Sequence, residues 1–195
     1  PVHQYEPYFS DNPNYEDEDC VRKIGVTPTL YYDAAGRNTR TEMPDGTLVR
    51  VEYDAWEQRN YDQNDTIEES TWKNRPENAA VYAKSKIHAN TPGILYLDSL
   101  GRPFLGLEHN KWNKPDGNAF VETEAFYPTY VLLDIEGNAR ALMDARNNPV
   151  MHWQYDMLGH RLYQRGMDNG ERWMLHDCMG KPLLAWDENE AKGVL

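Results

Sequence analysis

Two stretches decide the fold: Tyr32-Asp33-Ala34-Ala35-Gly36-Arg37 and Tyr155-Asp156-Met157-Leu158-Gly159-His160-Arg161. Both follow one frame: an aromatic or apolar residue, Asp, two free positions, Gly, then a polar or basic residue. The frame recurs in Leu97-Asp98-Ser99-Leu100-Gly101-Arg102, Leu133-Asp134-Ile135-Glu136-Gly137-Asn138 and His176-Asp177-Cys178-Met179-Gly180-Lys181. Met143-Asp144-Ala145-Arg146-Asn147-Asn148 is a weaker copy with Asn in place of Gly. Tyr53-Asp54-Ala55-Trp56-Glu57 and Trp186-Asp187-Glu188-Asn189 read as decayed copies. Asp33 and Asp54 lie 21 residues apart, as do Asp156 and Asp177, and a second turn divides each interval 12 + 9. Those inner turns are Pro44-Asp45-Gly46 and Met167-Asp168-Asn169-Gly170. The repeat is internal, and its unit is a pair of turns.

The chemistry of the unit is that of a hairpin turn. Asp at a turn start accepts a hydrogen bond from the backbone two residues on, and Gly supplies positive φ at low steric cost. Between the turns lie alternating segments of about seven residues, such as Thr47-Leu48-Val49-Arg50-Val51-Glu52-Tyr53 and Glu171-Arg172-Trp173-Met174-Leu175-His176. The expected fold is therefore all-β, an antiparallel β-meander carrying one inserted helix. Its structural residues are Asp33, Gly36, Asp45, Gly46, Asp98, Gly101, Asp134, Gly137, Asp144, Asp156, Gly159, Asp168, Gly170, Asp177 and Gly180, read as turn formers and not as catalysts or ligands.

Composition agrees with strands and turns. Of the 23 aromatics, 13 are Tyr and 6 are Trp, alongside 13 Gly and 12 Pro. Tyr and Trp suit half-buried pleated surfaces. The 195 residues include 20 Lys+Arg and 32 Asp+Glu, a net charge of −12, which argues against nucleic acid or an anionic membrane as partner. No apolar run approaches the ~20 residues that span a bilayer. With 39% hydrophobic residues the chain has enough apolar material to pack despite its acidity.

Three segments depart from the meander. Pro76 to Asn90 is Ala-rich, with Pro and Glu in its first turn and Asn90-Thr91-Pro92-Gly93 as a stop, so a helix of about three turns is expected there. Ala80, Ala83 and Ile87 form its apolar stripe, set to cover a sheet face or edge. Residues 1–28 are expected to be a leading strap and loop, acidic and Pro-containing from Glu6 to Asp19, before the repeat sheet of residues 29–195. Trp112 to Asn118, with Lys114-Pro115-Asp116-Gly117, is expected to be a loop. Pro1 in first position and the lack of a signal pattern favour an excised fragment.

Enzymatic chemistry finds no constellation. Cys20 and Cys178 lack zinc-site spacing and read as two unpaired thiols, which mildly favours folding in a reducing cytoplasm; a single long-range disulfide is the alternative. His3, His88, His109, His152, His160 and His176 show no ligand spacing, and no nucleophile elbow or phosphate loop occurs. No catalytic residue, cofactor or metal is expected. The alternative to a structural role is a carbohydrate- or protein-binding module using Trp56, Trp72, Trp112 or Trp153 to stack on surface glycans or anchor a partner.

The Tyr-Asp-x-x-Gly-Arg units resemble the YD repeats of rearrangement-hotspot (Rhs) proteins. Longer stretches resemble one branch, the B component of insecticidal toxin complexes and the related SpvB/TcaC-like toxins. They are Tyr31 to Thr47, Lys86 to Arg102, and Leu132 to Leu175, within about Val26 to Asp187. The resemblance implies a wall segment of a hollow shell, a spiralling antiparallel sheet that encloses a toxic payload for delivery. It implies as partners the rest of the parent shell, the enclosed toxin domain and toxin-complex subunits. It implies a secreted, virulence-associated component that folds in the bacterial cytoplasm before export. The family's autoproteolytic Asp-Pro-x-Gly motif has no copy, because no Asp-Pro dipeptide occurs. A shell wall with two faces meeting water or cargo accords with few aliphatic residues and a negative mean hydropathy.

Overall fold

The computed structural model describes residues 2–3, 13–14, 28–116 and 119–188. Over the described residues the protein is an all-β antiparallel meander whose thirteen strands follow one another in sequence order, β1 to β13. They are β1 (Val2–His3), β2 (Thr29–Tyr32), β3 (Asn38–Glu42), β4 (Leu48–Tyr53), β5 (Glu57–Tyr61), β6 (Gly93–Leu97) and β7 (Pro103–Asp116). After these come β8 (Ala119–Leu133), β9 (Ala139–Met143), β10 (Pro149–Tyr155), β11 (Arg161–Gly166), β12 (Gly170–His176) and β13 (Pro182–Asp187). One α-helix is found among the described residues, α1 (Ala79–Ser85), in the connection between β5 and β6.

The chain forms two compact units. The first comprises Pro1–Ile94 with Glu108–Phe126, and the second Leu95–Leu107 with Tyr127–Leu195, so β6, β7 and β8 contribute to both. In the first unit, register runs Tyr31↔Arg40, Arg40↔Arg50 and Arg50↔Tyr61 across β2 to β5. In the second, it runs Tyr163↔Trp173↔Trp186 across β11 to β13. A shift of register falls just before four turn aspartates, at Tyr31/Tyr32, Leu132/Leu133, Gln154/Tyr155 and Leu175/His176. Each leaves one extra residue on the second strand of the hairpin (Thr39, Arg140, Leu162 and Leu183), a β-bulge one pair outside the turn.

The buried core of the described residues is small, and it lies in the first unit. Leu48, Tyr61 and Ile67 are buried with Asp65, Thr66 and Ser70. The polar members are buried because each is hydrogen-bonded. Asp62 Oδ1 accepts from the amides of Asn64 and Asp65, while Asp65 Oδ2 accepts from the Asp62 amide, a reciprocal box of the kind that starts helices. Asp65 Oδ1 also accepts from the amide and hydroxyl of Thr91, which ties the far end of the insertion back to its start. The Thr66 hydroxyl donates toward the carbonyls of Leu48 and Asp62, and the Trp72 amide donates to the Gly46 carbonyl at 3.2 Å. The insertion thus caps the turn at Met43–Thr47.

Several expectations need correction. The helix expected over 76–90 is regular only from Ala79 to Ser85, with 3-10 turns at Pro76–Asn78 and Lys86–His88. Asn78 offers no side-chain cap and the run closes at Asn90, held at φ 59°, so both ends tighten. Its supposed apolar stripe does not form an interface: Ala80 and Ala83 are exposed and Ile87 is half-buried. The contact runs instead through Tyr82, whose hydroxyl donates to the Glu68 carboxylate at 2.9 Å. The loop expected from Trp112 continues β7 as far as Asp116, and residues 117–118 lie outside the described residues. Within the leading segment, Val2–His3 pairs with Leu30 and Thr29 as a strand; the acidic stretch from Glu6 to Asp19 lies outside the described residues apart from Pro13 and Asn14. Cys20 is outside as well, and Cys178 is an exposed free thiol.

Candidate functional site

Six turns share one construction, starting at Asp33, Asp98, Asp134, Asp144, Asp156 and Asp177. In each, the Asp amide donates to the carbonyl of the fifth residue at 2.9–3.0 Å, and the amide of the fourth donates back to the Asp carbonyl at 2.9–3.2 Å. The fourth residue is left-handed: Gly36, Gly101, Gly137, Gly159 and Gly180 at φ 74–96°, and Asn147 at φ 61°. Asn tolerates this conformation better than other residues with a Cβ, which is why the copy at Asp144 keeps the geometry. Asp Oδ1 accepts from the amides of the third and fifth residues at 2.8–3.0 Å in all six.

In five of the six the second carboxylate oxygen binds the fifth side chain. Asp33 Oδ2 takes Arg37 Nε and Asp98 Oδ2 takes Arg102 Nε, both at 2.7 Å. Asn138, Asn148 and His160 play the same part toward Asp134, Asp144 and Asp156. The Arg37 amide and then its guanidinium hold the Asp33 carboxyl below the usual range. The Arg102 amide does the same at Asp98, and the Asn148 side chain and amide at Asp144. At Asp134 and Asp156 burial opposes the shift, yet the hydrogen bonds prevail and the carboxyls remain lowered.

The fifth residue also reaches forward along its rim. The Arg37 guanidinium lies 4.4 Å from the centroid of the Tyr53 ring, Arg102 Nη1 donates to the Ile135 carbonyl at 3.3 Å, and the His160 ring stands 5.3 Å from that of His176. The aromatic before the Asp fixes the neighbouring strand: Tyr53 OH donates to Asn38 O at 3.1 Å, and Tyr155 OH to Ala139 O at 3.0 Å. In the copy at Asp156, Tyr155, Asp156, Gly159 and His160 are therefore all engaged within the sheet.

The inner turns are built differently. Met43-Pro44-Asp45-Gly46-Thr47 makes the same backbone loop with Met43 first, the Met43 amide on the Thr47 carbonyl at 2.8 Å and Gly46 at φ 89°. Asp45 is its third residue; the Thr47 amide and then its hydroxyl bond the carboxyl and lower it. Asp168 occupies the corresponding place between paired Gly166 and Gly170, with Gly170 at φ 68°. Its carboxylate accepts no hydrogen bond among the described residues, so reading Asp168 as the turn's acceptor is corrected: the left-handed residue here is Gly170, two places after the Asp, whereas Gly46 directly follows Asp45. Turn position matches between the two inner turns, and turn chemistry does not.

The four tryptophans considered for stacking are scattered. Trp56 is an exposed turn tip, Trp72 and Trp112 are half-buried in the insertion and β7, and Trp153 is half-buried with Arg161 5.9 Å from its ring. A row forms elsewhere, from residues that only register could bring together. His152 and Tyr163 have ring centroids 6.0 Å apart, Tyr163 and Trp173 5.7 Å, and Trp173 and Trp186 6.0 Å at 11°. Beside it lies an open groove of about 580 Å³ lined by His152, Gln154, Tyr163 and Arg165. No group of three or more His, Cys, Asp or Glu is placed to hold a metal among the described residues, and no described helix is long and apolar enough to cross a membrane.

Comparison with solved structures gives this architecture a context. A chain of the Photorhabdus luminescens Tc holotoxin pore superposes with a TM-score of 0.75 and 26% identity over 96% of this chain. This chain is similar to part of a Tc toxin. The TcdB2-TccC3 crystal structure matches with a TM-score of 0.73 at 25% identity, and the TcdB2-TccC3-Cdc42 structure with 0.74 at 26%. The chain spans about 9% of the length of these Tc toxin chains. No protein-family model and no curated protein sequence matches it.

Proposed function

We propose that this chain is a wall segment of an Rhs-type shell that encloses a toxin payload for delivery, resembling the B component of insecticidal toxin complexes. The observation that carries the reading is the 26% identity over 96% of the chain to a Tc toxin chain, at a TM-score of 0.75. The chemistry is consistent with it. The Asp and the left-handed residue of all six turns are used to hold the turns, and exposed apolar side chains such as Phe104, Leu175 and Leu184 lie along the strands. A surface of that kind suits contact with other polypeptide. On this reading the partners are the remaining shell, the payload and other toxin-complex subunits, and the parent is secreted after folding in the bacterial cytoplasm.

The test is protease protection. In the full-length parent, the payload should resist a protease that degrades the isolated payload within minutes, and should become sensitive when the wall is opened by mild denaturant. A payload cut equally fast in both settings contradicts the reading. The row Tyr163–Trp173–Trp186 favours a second reading, a glycan-stacking surface. Tryptophan fluorescence during sugar titration, beside a glycan array, separates the two.

A further inference from the structure

Two histidines of the second unit occupy places that the repeat brings together by construction. Where the repeat has its 21-residue spacing, the fifth residue of one turn meets the residue before the Asp 21 positions on. In the first unit that contact sets the Arg37 guanidinium 4.4 Å from the centroid of the Tyr53 ring. In the second it sets the ring centroids of His160 and His176 5.3 Å apart, with the planes tilted by 33°. Holding the turn does not require histidine at either place. Asn138 and Asn148 bond the turn carboxylate as His160 does, and Tyr155 stands before Asp156 where His176 stands before Asp177.

The ring nitrogens are set for a ligand. The Asp156 carboxyl, lowered although burial opposes it, accepts from His160 Nδ1 at 2.9 Å, so the lone pair lies on Nε2. A carboxylate behind an imidazole in this way fixes its orientation and raises its basicity toward a metal. His176 Nδ1 is buried and has no hydrogen-bond partner among the described residues. Gly180 keeps the space beside His160 Nε2 open: a Cβ at this left-handed residue would stand 2.8 Å from that nitrogen. The ring spacing suits a shared ion. With metal–nitrogen bonds of about 2.0–2.1 Å and roughly 1.2 Å from nitrogen to ring centre, two imidazoles at a tetrahedral angle have centres about 5.3 Å apart.

We propose that His160 and His176 bind one late first-row divalent ion, Zn²⁺ or Cu²⁺, through Nε2 and Nδ1, with water completing its shell. Imidazole suits both ions, and copper should be held more tightly than zinc. The ion would join the turns at Asp156 and Asp177, and binding the folded chain alone would stabilise it. The site stands whether or not the sheet is a shell wall.

Copper-directed oxidation locates the ion. Metal-stripped full-length parent, carrying Cys178→Ser to remove the neighbouring thiol, receives an equivalent of Cu²⁺ and then ascorbate, and histidine oxidation is placed by peptide mass spectrometry. His160 and His176 should be oxidised at least tenfold faster than His88 and His152, and excess Zn²⁺ should suppress both. Two variants borrow residues from other copies of the turn. His160→Asn should slow oxidation of His176 at least tenfold, and His176→Tyr should do the same to His160, with circular dichroism unchanged. Rates no higher than those of His88 and His152 overturn the proposal. So does oxidation of either histidine that persists when its partner is replaced, since each would then hold its own ion. Should a variant misfold, zinc competition against the unsubstituted pair decides: suppression of both at one Zn²⁺ concentration supports a shared ion, and suppression at different concentrations overturns it.

Discussion

Replacing Gly36 or Gly159 by Val isolates the turn geometry from packing. Both glycines are left-handed, at φ 79° and 80°, and a Cβ built on either meets nothing within 4 Å. The whole cost is therefore backbone strain, about 1–3 kcal/mol. With a urea dependence of about 2 kcal/mol per molar, that moves the unfolding midpoint down by roughly 0.5–1.5 M. Gly106 is the control: it lies within β7, not in the left-handed region, and its Cβ would make ordinary contact with Leu95 Cδ2 at 3.7 Å. Val suits a strand, so Gly106→Val should cost less than either turn mutant. Gly159→Asn adds a second arm, because Asn147 already fills the equivalent place; it should cost less than half of Gly159→Val. Urea unfolding followed by tryptophan fluorescence reads all four. Gly106→Val as damaging as Gly159→Val, or Asn as damaging as Val, would refute the claim that turn geometry is what the repeat encodes.

Acid should weaken the fold through its turns. The carboxyls of Asp33, Asp98, Asp134, Asp144 and Asp156 are lowered in the folded state. Their stabilisation is complete above the unfolded value of about 3.9 and is lost as pH falls through the folded values, so urea midpoints should drop between pH 5 and pH 3. Tyr155→Phe removes the bond to the Ala139 carbonyl and should cost about 1 kcal/mol, measured the same way. Thr66→Val leaves the buried carbonyl of Leu48 without its hydroxyl partner and should cost about 1–3 kcal/mol. Far-UV circular dichroism should be strand-dominated; more than about a quarter helix would contradict a chain whose one described α-helix is Ala79–Ser85.

The meander was legible because its punctuation is chemical. An Asp that must meet two amides and a Gly that must be left-handed leave a spaced signature, and the strands follow as the intervals between turns. The insertion from Asp62 to Pro92 was not legible in the same way. Asp65, Thr66 and Ser70 look like loop residues, and they are buried only because the Asp62–Asp65 box, Thr91 and the Leu48 carbonyl satisfy them. The turn at Pro44-Asp45-Gly46 was legible from its turn residues; that its backbone repeats the Asp33 loop with Met43 in first place was not, because the first side chain is not Asp. Asp168 misleads in the opposite sense, with the right position and no bond. The aromatic row through Tyr163, Trp173 and Trp186 depends on cross-strand register, which no spacing along the chain displays. The extension of β7 to Asp116 overrides the turn composition of Lys114-Pro115-Asp116.

Electron cryomicroscopy of the full-length parent protein tests the central claim most directly. Residues 29–187 should lie in a single-layer sheet with one face on a closed cavity that contains density for the payload. Finding them packed into a solid domain, or with both faces open to bulk solvent, would contradict the account.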